Sequence, residues 1–357
     1  HRKKRGRVHP PHGCRMKKLL NTLFITTQGA YLAKDGETVA VRIEQTTVLR
    51  VPVHTLASIV CFGNVGCSPF LLGMCGEKGV SLSFLTENGR FLARVQGPVS
   101  GNVLLRREQY RRADDPAASA ALATACVLGK IANCRTVLQR GLRDHNGKLD
   151  ETAVQAAVDH LFAALRSLQQ QPNLEQVRGI EGDAARIYFQ ALNHLILRDK
   201  NVFFMDGRNR RPPLDPVNCL LSFLYTLLRH DVSAALEGVG LDPAVGFLHR
   251  DRPGRPSLAL DIMEEFRPIA DRMALSLINL GQLQPRDFSQ SGSGSITLSD
   301  AARKTVLTAY QKRKQEEMRH PFLEENMALG LFPHVQALLL ARHLRGDLDG
   351  YPPLIWR

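Results

Sequence analysis

A carboxylate flanked by glycines inside a helical pattern is the first place where residue type and spacing point to chemistry. Glu181 lies between Gly179 and Gly182 in RGIEGDAARIYFQ, residues 178–190. Each glycine in a helix interior costs about 1 kcal/mol relative to alanine. Keeping two of them beside an acid suggests that something bulky approaches it closely; the alternative is packing glycines next to a surface glutamate. GFLH ends at His249, and LALDIMEEFRP carries Asp261 and Glu264, three residues apart and hence on one helix face. Two helices and a loop can bring one imidazole and two or three carboxylates to a point. A mixed oxygen and nitrogen set of this kind suits Mn²⁺ or Mg²⁺ better than structural zinc. It leaves positions open for water or phosphate oxygens, as metal-dependent phosphodiester chemistry requires. Plainer readings stand beside this one: His249 as a buried, hydrogen-bonded residue, and Glu264–Glu265 as a solvated helix face.

Basic clusters surround these residues. Arg208, Arg210 and Arg211 fall in the loop FFMDGRNRRPPLDPVN, and Arg250, Arg252 and Arg255 follow His249 directly in HRDRPGRP. Arginines in loops beside a metal are what a phosphate-binding surface needs; solubilising loop charge is the alternative. Lys312, Arg313 and Lys314 read as a solvated helix face that also suits a nucleic-acid stripe.

The elements that must position these groups change character along the chain. Residues 16–100 read as a small β-rich domain. LFITTQGAYLAKDGETVAVRIE alternates around Asp35-Gly36, and VSLSFLTENGRFLARV around Asn88-Gly89, both hairpin signals. Between them Ser68, Pro69 and Gly79 frame a short helix. From residue 106 to 357 the apolar spacing is helical, giving a larger all-α domain with a helix start at 114–116 and a loop at HNGKLDE. Pro268 predicts a kink or helix boundary. SQSGSGS at 289–295 reads as a flexible surface loop, followed by a basic helix, RKTVLTAYQKRKQEEMRH. The predicted class is α+β.

The chain has 357 residues, 44% hydrophobic and 23% charged, with net charge +13. That describes an ordinary two-domain globular protein, and no uncharged apolar run is long enough to span a bilayer. Residues 1–15, HRKKRGRVHPPHGCR, hold six basic residues and no acid, and read as a leader or added extension outside the fold. The remaining body has 41 basic and 34 acidic residues, a balance compatible with a polyanionic partner. Seven cysteines without a C-x-x-C pair argue against a zinc ribbon or disulfide framework and for reduced thiols.

Four ordered blocks, RGIEGDAARIYF, RNRRPPLDPVNCLLSFLY, LDPAVGFLH and SLALDIMEEFRP, resemble the signature blocks of the CRISPR-associated spacer-acquisition integrase, the first-numbered Cas protein. The likeness runs from Met16 to YPPLIWR, and its style is most similar to the type I-C branch. The resemblance implies an N-terminal β-domain that pairs into homodimers and a helical catalytic domain. It implies a heterohexamer with the small second-numbered Cas partner in a prokaryotic cytoplasm, away from membranes. The implied substrate is double-stranded DNA with 3′ ends, inserted as spacers into a CRISPR array. The family's metal-binding residues fall on Glu181, His249 and Glu264, with Mg²⁺ or Mn²⁺ as the cofactor. Asp261 is a supporting or alternative ligand. Many members carry aspartate where this chain has Glu264. Arg252 matches a position that is basic in relatives and faces DNA. The implied reaction is transesterification by a DNA 3′-hydroxyl, with hydrolysis when water attacks instead. Neutral imidazole is required for ligation, so activity should fall in acid. The competing readings are a non-catalytic DNA-binding scaffold and a metal hydrolase acting on a small phosphorylated molecule.

Overall fold

A computed structural model describes residues 21–87, 91–95, 97, 103–209 and 212–356. The leader, the Asn88-Gly89 turn, Arg210 and Arg211 lie outside the described residues. The N-terminal region is built from β1 (Asn21–Ile25), β2 (Tyr31–Asp35), β3 (Thr38–Ile43), β4 (Thr46–Pro52), β5 (Leu56–Phe62), β6 (Gly66–Cys67), α1 (Pro69–Lys78), β7 (Ser81–Leu85) and β8 (Phe91–Val95). Asp35-Gly36 does close a hairpin between β2 and β3. Ser68 caps α1 by accepting from the Leu71 amide, and Gly79 ends it in the left-handed region.

Hairpins are not the whole topology. One sheet runs β1-β5-β7-β8 and the other β4-β3-β2-β6. The pairs β1–β5, β5–β7 and β2–β6 are parallel. Period-two alternation gives β5 and β7 two buried faces. Ile59, Cys61 and Leu82 face a small core shared by the two sheets, together with Leu32, Val39 and Leu71. Val60, Phe62 and Leu85 point the other way, into the core of the helical region.

That region comprises α2 (Val103–Asp114), α3 (Pro116–Asp144), α4 (Glu151–Leu168), α5 (Leu174–Leu192), α6 (Pro216–Val239), α7 (Ser257–Met263) and α8 (Arg267–Asn279). It continues through β9 (Phe288–Gln290), β10 (Ile296–Leu298), α9 (Asp300–Gln315), β11 (Glu317–Arg319), β12 (Asn326–Ala328) and α10 (Phe332–Leu344). It is therefore not all-α: β9 pairs with β10, and β11 with β12. The serine-rich stretch at 289–295 enters and turns the first ribbon rather than forming a free loop, and the basic helix stops at Gln315. Asp115 caps α3 with Pro116 in its first turn, and Pro268 sits in the first turn of α8, where the predicted break falls. Helix α3 is long and apolar enough to cross a membrane by length and composition. Here those apolar positions pack against α4, α5, α7 and α8.

Two features of the core fix the site's surroundings. Gln109 of α2, fully buried, donates to the carbonyls of Asp242 and Val245 at 2.8 Å each and so holds the segment leading to His249. Glu265, also fully buried, anchors the segment around Tyr351–Trp356. It accepts from the Leu354 amide at 2.6 Å, Tyr351 Oη at 2.7 Å and Gln336 Nε2 at 3.0 Å. The solvated-face reading of Glu264–Glu265 is thus overturned. Helix α7 ends just before the pair and the chain turns inward, leaving the two residues 2% and 0% exposed.

Burial outweighs these hydrogen bonds and pushes Glu265 up to about 8 from an ordinary 4.5. The folded chain thus keeps a proton that the unfolded chain releases, and stability should fall as pH rises from about 5 to 8. The span corresponds to a few kcal/mol, at about 1.4 kcal/mol per pKa unit. Glu265→Gln, neutral throughout, should flatten that slope in denaturant titrations at pH 5, 6.5 and 8. Identical slopes for the two proteins would refute this account of Glu265.

Candidate active site

Helix α5 begins with a capping box at Asn173 and Gln176 and carries Glu181 at mid-length. A Cβ added at Gly179 or Gly182 would meet nothing within 4 Å. The space at both glycines is therefore open. Gly182 and Glu181 line a groove of about 810 Å³, with Arg186, Lys200, Arg208 and Arg267 along it.

His249 enters from the loop between α6 and α7. Asp261, 1% exposed, accepts four hydrogen bonds from that loop. Its Oδ2 takes the amides of Phe247 (2.6 Å) and Leu248 (3.0 Å), and its Oδ1 takes the His249 amide (3.0 Å) and His249 Nδ1 (2.6 Å). An ionised carboxylate only accepts, so Nδ1 carries the proton, and in the neutral ring Nε2 presents a bare lone pair. Gly246 permits this cradle: a Cβ there would stand 2.7 Å from the Ser257 carbonyl carbon and 2.8 Å from Asp261 Oδ2. The loop is also tied to α5, because Arg178 Nε donates to the Leu248 carbonyl at 2.8 Å. Asp261 is therefore engaged with the protein on both oxygens, as a support for His249.

Glu264 follows α7 directly. His249 Nε2 stands 4.0 Å from its Oε1, which Arg267 Nη2 contacts at 2.9 Å. Lys130, from the middle of α3, places its ammonium against Glu181 Oε1 and 2.7 Å from Glu264 Oε2. Glu264 Oε2 is buried and has no aligned hydrogen-bond donor, so the lysine contact is one of charge. Burial opposes ionisation of Glu264, but the charges of Arg267 and Lys130 outweigh it and hold the carboxyl at about 2. For Lys130 burial works against the charge, and Glu264 and Glu181 overcome it, raising the ammonium above the usual lysine range.

Glu181 and Glu264, 83 residues apart in the chain, thus meet at one ammonium, and His249 Nε2 stands 4.0 Å from Glu264. The donor types, two carboxylates and an imidazole with a free Nε2, suit Mg²⁺ or Mn²⁺. Glu264 Oε2, buried and met by an ammonium rather than by an aligned donor, fits the same use. As they stand, no three His, Cys, Asp or Glu side chains among the described residues are close enough to hold an ion; Lys130 has the centre of the cluster.

The basic residues divide. Arg208 is half-buried and tied to its own chain, donating to the Asn209 carbonyl (2.7 Å) and to Asn218 Oδ1 (2.5 Å) and lying over the Tyr225 ring at 5.2 Å. Arg252 is exposed, and its carbonyl accepts from the Arg255 amide at 2.9 Å. Sequence reasoning passed over Lys130 and Arg267. The signal for Lys130 was a lone lysine in the apolar run VLGKIANC, and for Arg267 a basic residue three positions after Glu264. The wall behind Arg267, whose guanidinium lies 4.9 Å from the Tyr225 ring centre, is a buried Asp271 accepting from Tyr188 and Tyr225.

A sheet-bearing N-terminal region joined to a helical one is a fold already known from solved structures. A casposase bound to integration product superposes with TM-score 0.79 over 94% of each chain, at 20% identity. A chain of a Cas6-RT-Cas1–Cas2 complex does so with TM-score 0.79 and 23% identity, over 94% of this chain and 36% of that one. In sequence, residues 23–312 match the family CRISPR associated protein Cas1. The CRISPR-associated endonuclease Cas1 1 of Chlorobaculum tepidum is 57% identical over 343 residues, covering 96% of this chain and all of that protein. The chain belongs to the Cas1 family.

Proposed function

We propose that this chain is a metal-dependent DNA endonuclease and integrase that joins captured fragments to a CRISPR array by transesterification. The observation carrying this reading is the meeting of Glu181 and Glu264 at Lys130, with His249 Nε2 4.0 Å from Glu264, beside an arginine-lined groove. In it, Glu181, His249 and Glu264 would hold Mg²⁺ or Mn²⁺, which would supply Lewis-acid stabilisation at the scissile phosphate and a more acidic hydroxyl. The residues of the chain do the rest. Asp261 fixes the ring of His249 and keeps the proton on Nδ1. Arg267 and Lys130 set the charge around Glu264. The groove residues Arg186 and Lys200, with Arg252 and Arg255 beyond His249 and with Arg210 and Arg211, neutralise phosphates, giving salt-dependent affinity. No protein nucleophile is required, since the attacking group is the substrate's own 3′-hydroxyl.

The same proposal includes double-stranded DNA with 3′ ends as substrate and homodimers formed through the sheets. It includes a heterohexamer with a Cas2 partner, supported by the like fold within a Cas1–Cas2 complex. A cytoplasmic setting and a type I-C system, the latter on the style of the four sequence blocks, complete it. Strand transfer of a short duplex into a repeat-containing plasmid tests the chemistry. Fragments ending in 2′,3′-dideoxynucleotides should give no joined product while binding as tightly as fragments with 3′-hydroxyls. Equal joining by both would exclude 3′-hydroxyl attack.

A further inference from the structure

We propose that Lys130 is a resident counter-ion that occupies the cation position of this pocket and leaves it when a divalent metal enters. Metal loading is then an exchange of one cation for another. The inference rests on the reading of Glu181, His249 and Glu264 as a metal site.

Three observations carry it. Lys130 is 6% exposed in the middle of α3, and its neighbours on that helix face, Cys126, Val127, Asn133 and Cys134, are all buried. A buried ammonium is costly unless paired. Its partners are the two carboxylates assigned to the metal, Glu181 from α5 and Glu264 after α7, so one side chain bridges both. Second, cations already meet the two assigned carboxylates: Lys130 and Arg267 stand against Glu181 and Glu264, with the Asp261 carboxylate behind His249 as a third anion. A divalent ion added without removal of a cation would leave an excess of positive charge at the cluster. Both Lys130 and Arg267 line the groove, but Arg267 is also packed over the Tyr225 ring. Arg267 is therefore the better held of the two cations, and Lys130 the one assigned to move. Third, the carboxylates are aimed at the ammonium and not at His249 Nε2, which stands 4.0 Å from Glu264 Oε1. Release of Lys130 frees both carboxylates to turn toward the imidazole and carries the ammonium into the groove where phosphate would lie.

Mn²⁺ titration of the full chain, read by the electron paramagnetic resonance signal of the free ion, tests this. Lys130→Met removes the competitor and should bind Mn²⁺ at least about tenfold tighter than wild type, with a lower melting temperature in the absence of metal. Lys130→Arg keeps the charge and should bind no tighter than wild type. Mn²⁺ affinity of Lys130→Met equal to or weaker than wild type overturns the exchange. Wild-type protein gives a second reading that needs no variant. Reductive methylation of Lys130, followed by mass spectrometry, should be slow without metal and at least threefold faster with saturating Mn²⁺; an unchanged rate overturns the proposal. Glu181→Gln separates the two ideas. If it binds Mn²⁺ as tightly as wild type, the metal site itself is misassigned. If it loses binding while Lys130→Met matches wild type, only the exchange fails.

Discussion

Glu181→Gln should abolish strand transfer and nicking, by about 10³-fold or more, while DNA affinity stays within a few-fold of wild type. A bound metal contributes several kcal/mol of charge stabilisation in the transition state, and each 1.4 kcal/mol is tenfold in rate. Glutamine keeps the shape of the side chain but has neither the charge nor the second anionic oxygen a hard cation requires. The fold should tolerate the change, because the Glu181 side chain is 25% exposed and Lys130 keeps Glu264 as a partner. A gel-shift titration alongside the joining assay separates binding from chemistry. Retention of full joining in Mn²⁺ would remove Glu181 from the site. Loss of binding together with joining would instead favour a scaffold role for this surface.

Asp261→Ala should damage both stability and activity. The carboxylate accepts three backbone amides and His249 Nδ1 in a site 1% exposed. Truncation leaves three buried donors unpaired at about 1–3 kcal/mol each. Partial rearrangement of the loop offsets some of that, so a net loss of about 3–5 kcal/mol is expected. His249 then loses its fixed tautomer and ring orientation, and groups that orient a metal ligand typically contribute 10–100-fold to affinity or activity. Thermal melts and joining rates measured on the same preparation check both parts. Asp261→Asn should be little better, because its amide nitrogen would face donors where an acceptor is needed. A variant as stable as wild type would contradict the cradle described for Gly246–His249.

Local signals in the sequence proved reliable where a single residue's chemistry decides the backbone. Ser68, Pro69 and Gly79 frame α1, Asp115-Pro116 opens α3, and Pro268 marks the break before α8. What depends on pairing at a distance was not legible. The parallel neighbours β1, β5 and β7 are joined by crossovers, and strand alternation carries no record of which strand lies beside which. The ribbons β9–β10 and β11–β12 have three-residue strands, too short for a periodic pattern, so serine and glycine content suggested a loop. The candidate residues Glu181, His249 and Glu264 were nameable through the four blocks, and their meeting depends on the fold. Lys130 belonged to none of those blocks, and a solitary charge in an apolar helix does not announce its partner. The acid pair at 264–265 misled for the same reason: two carboxylates look like surface until a helix end turns them inward.

Because Val60, Phe62 and Leu85 of the sheet insert into the same interior as Leu138, Phe223 and Phe332 of the helices, the junction between the regions has no greased plane along which to slide. Phe62 and Phe223 meet ring to ring at 6.1 Å, and Lys314 reaches across to both Asp231 and Thr22. A partner gripping the strands would therefore hold the carboxylate cluster as firmly as if it gripped that cluster itself. In an assembly containing several copies, the spacing between their clusters would be a property of a stiff frame, a gauge set by shape rather than by the reach of a linker.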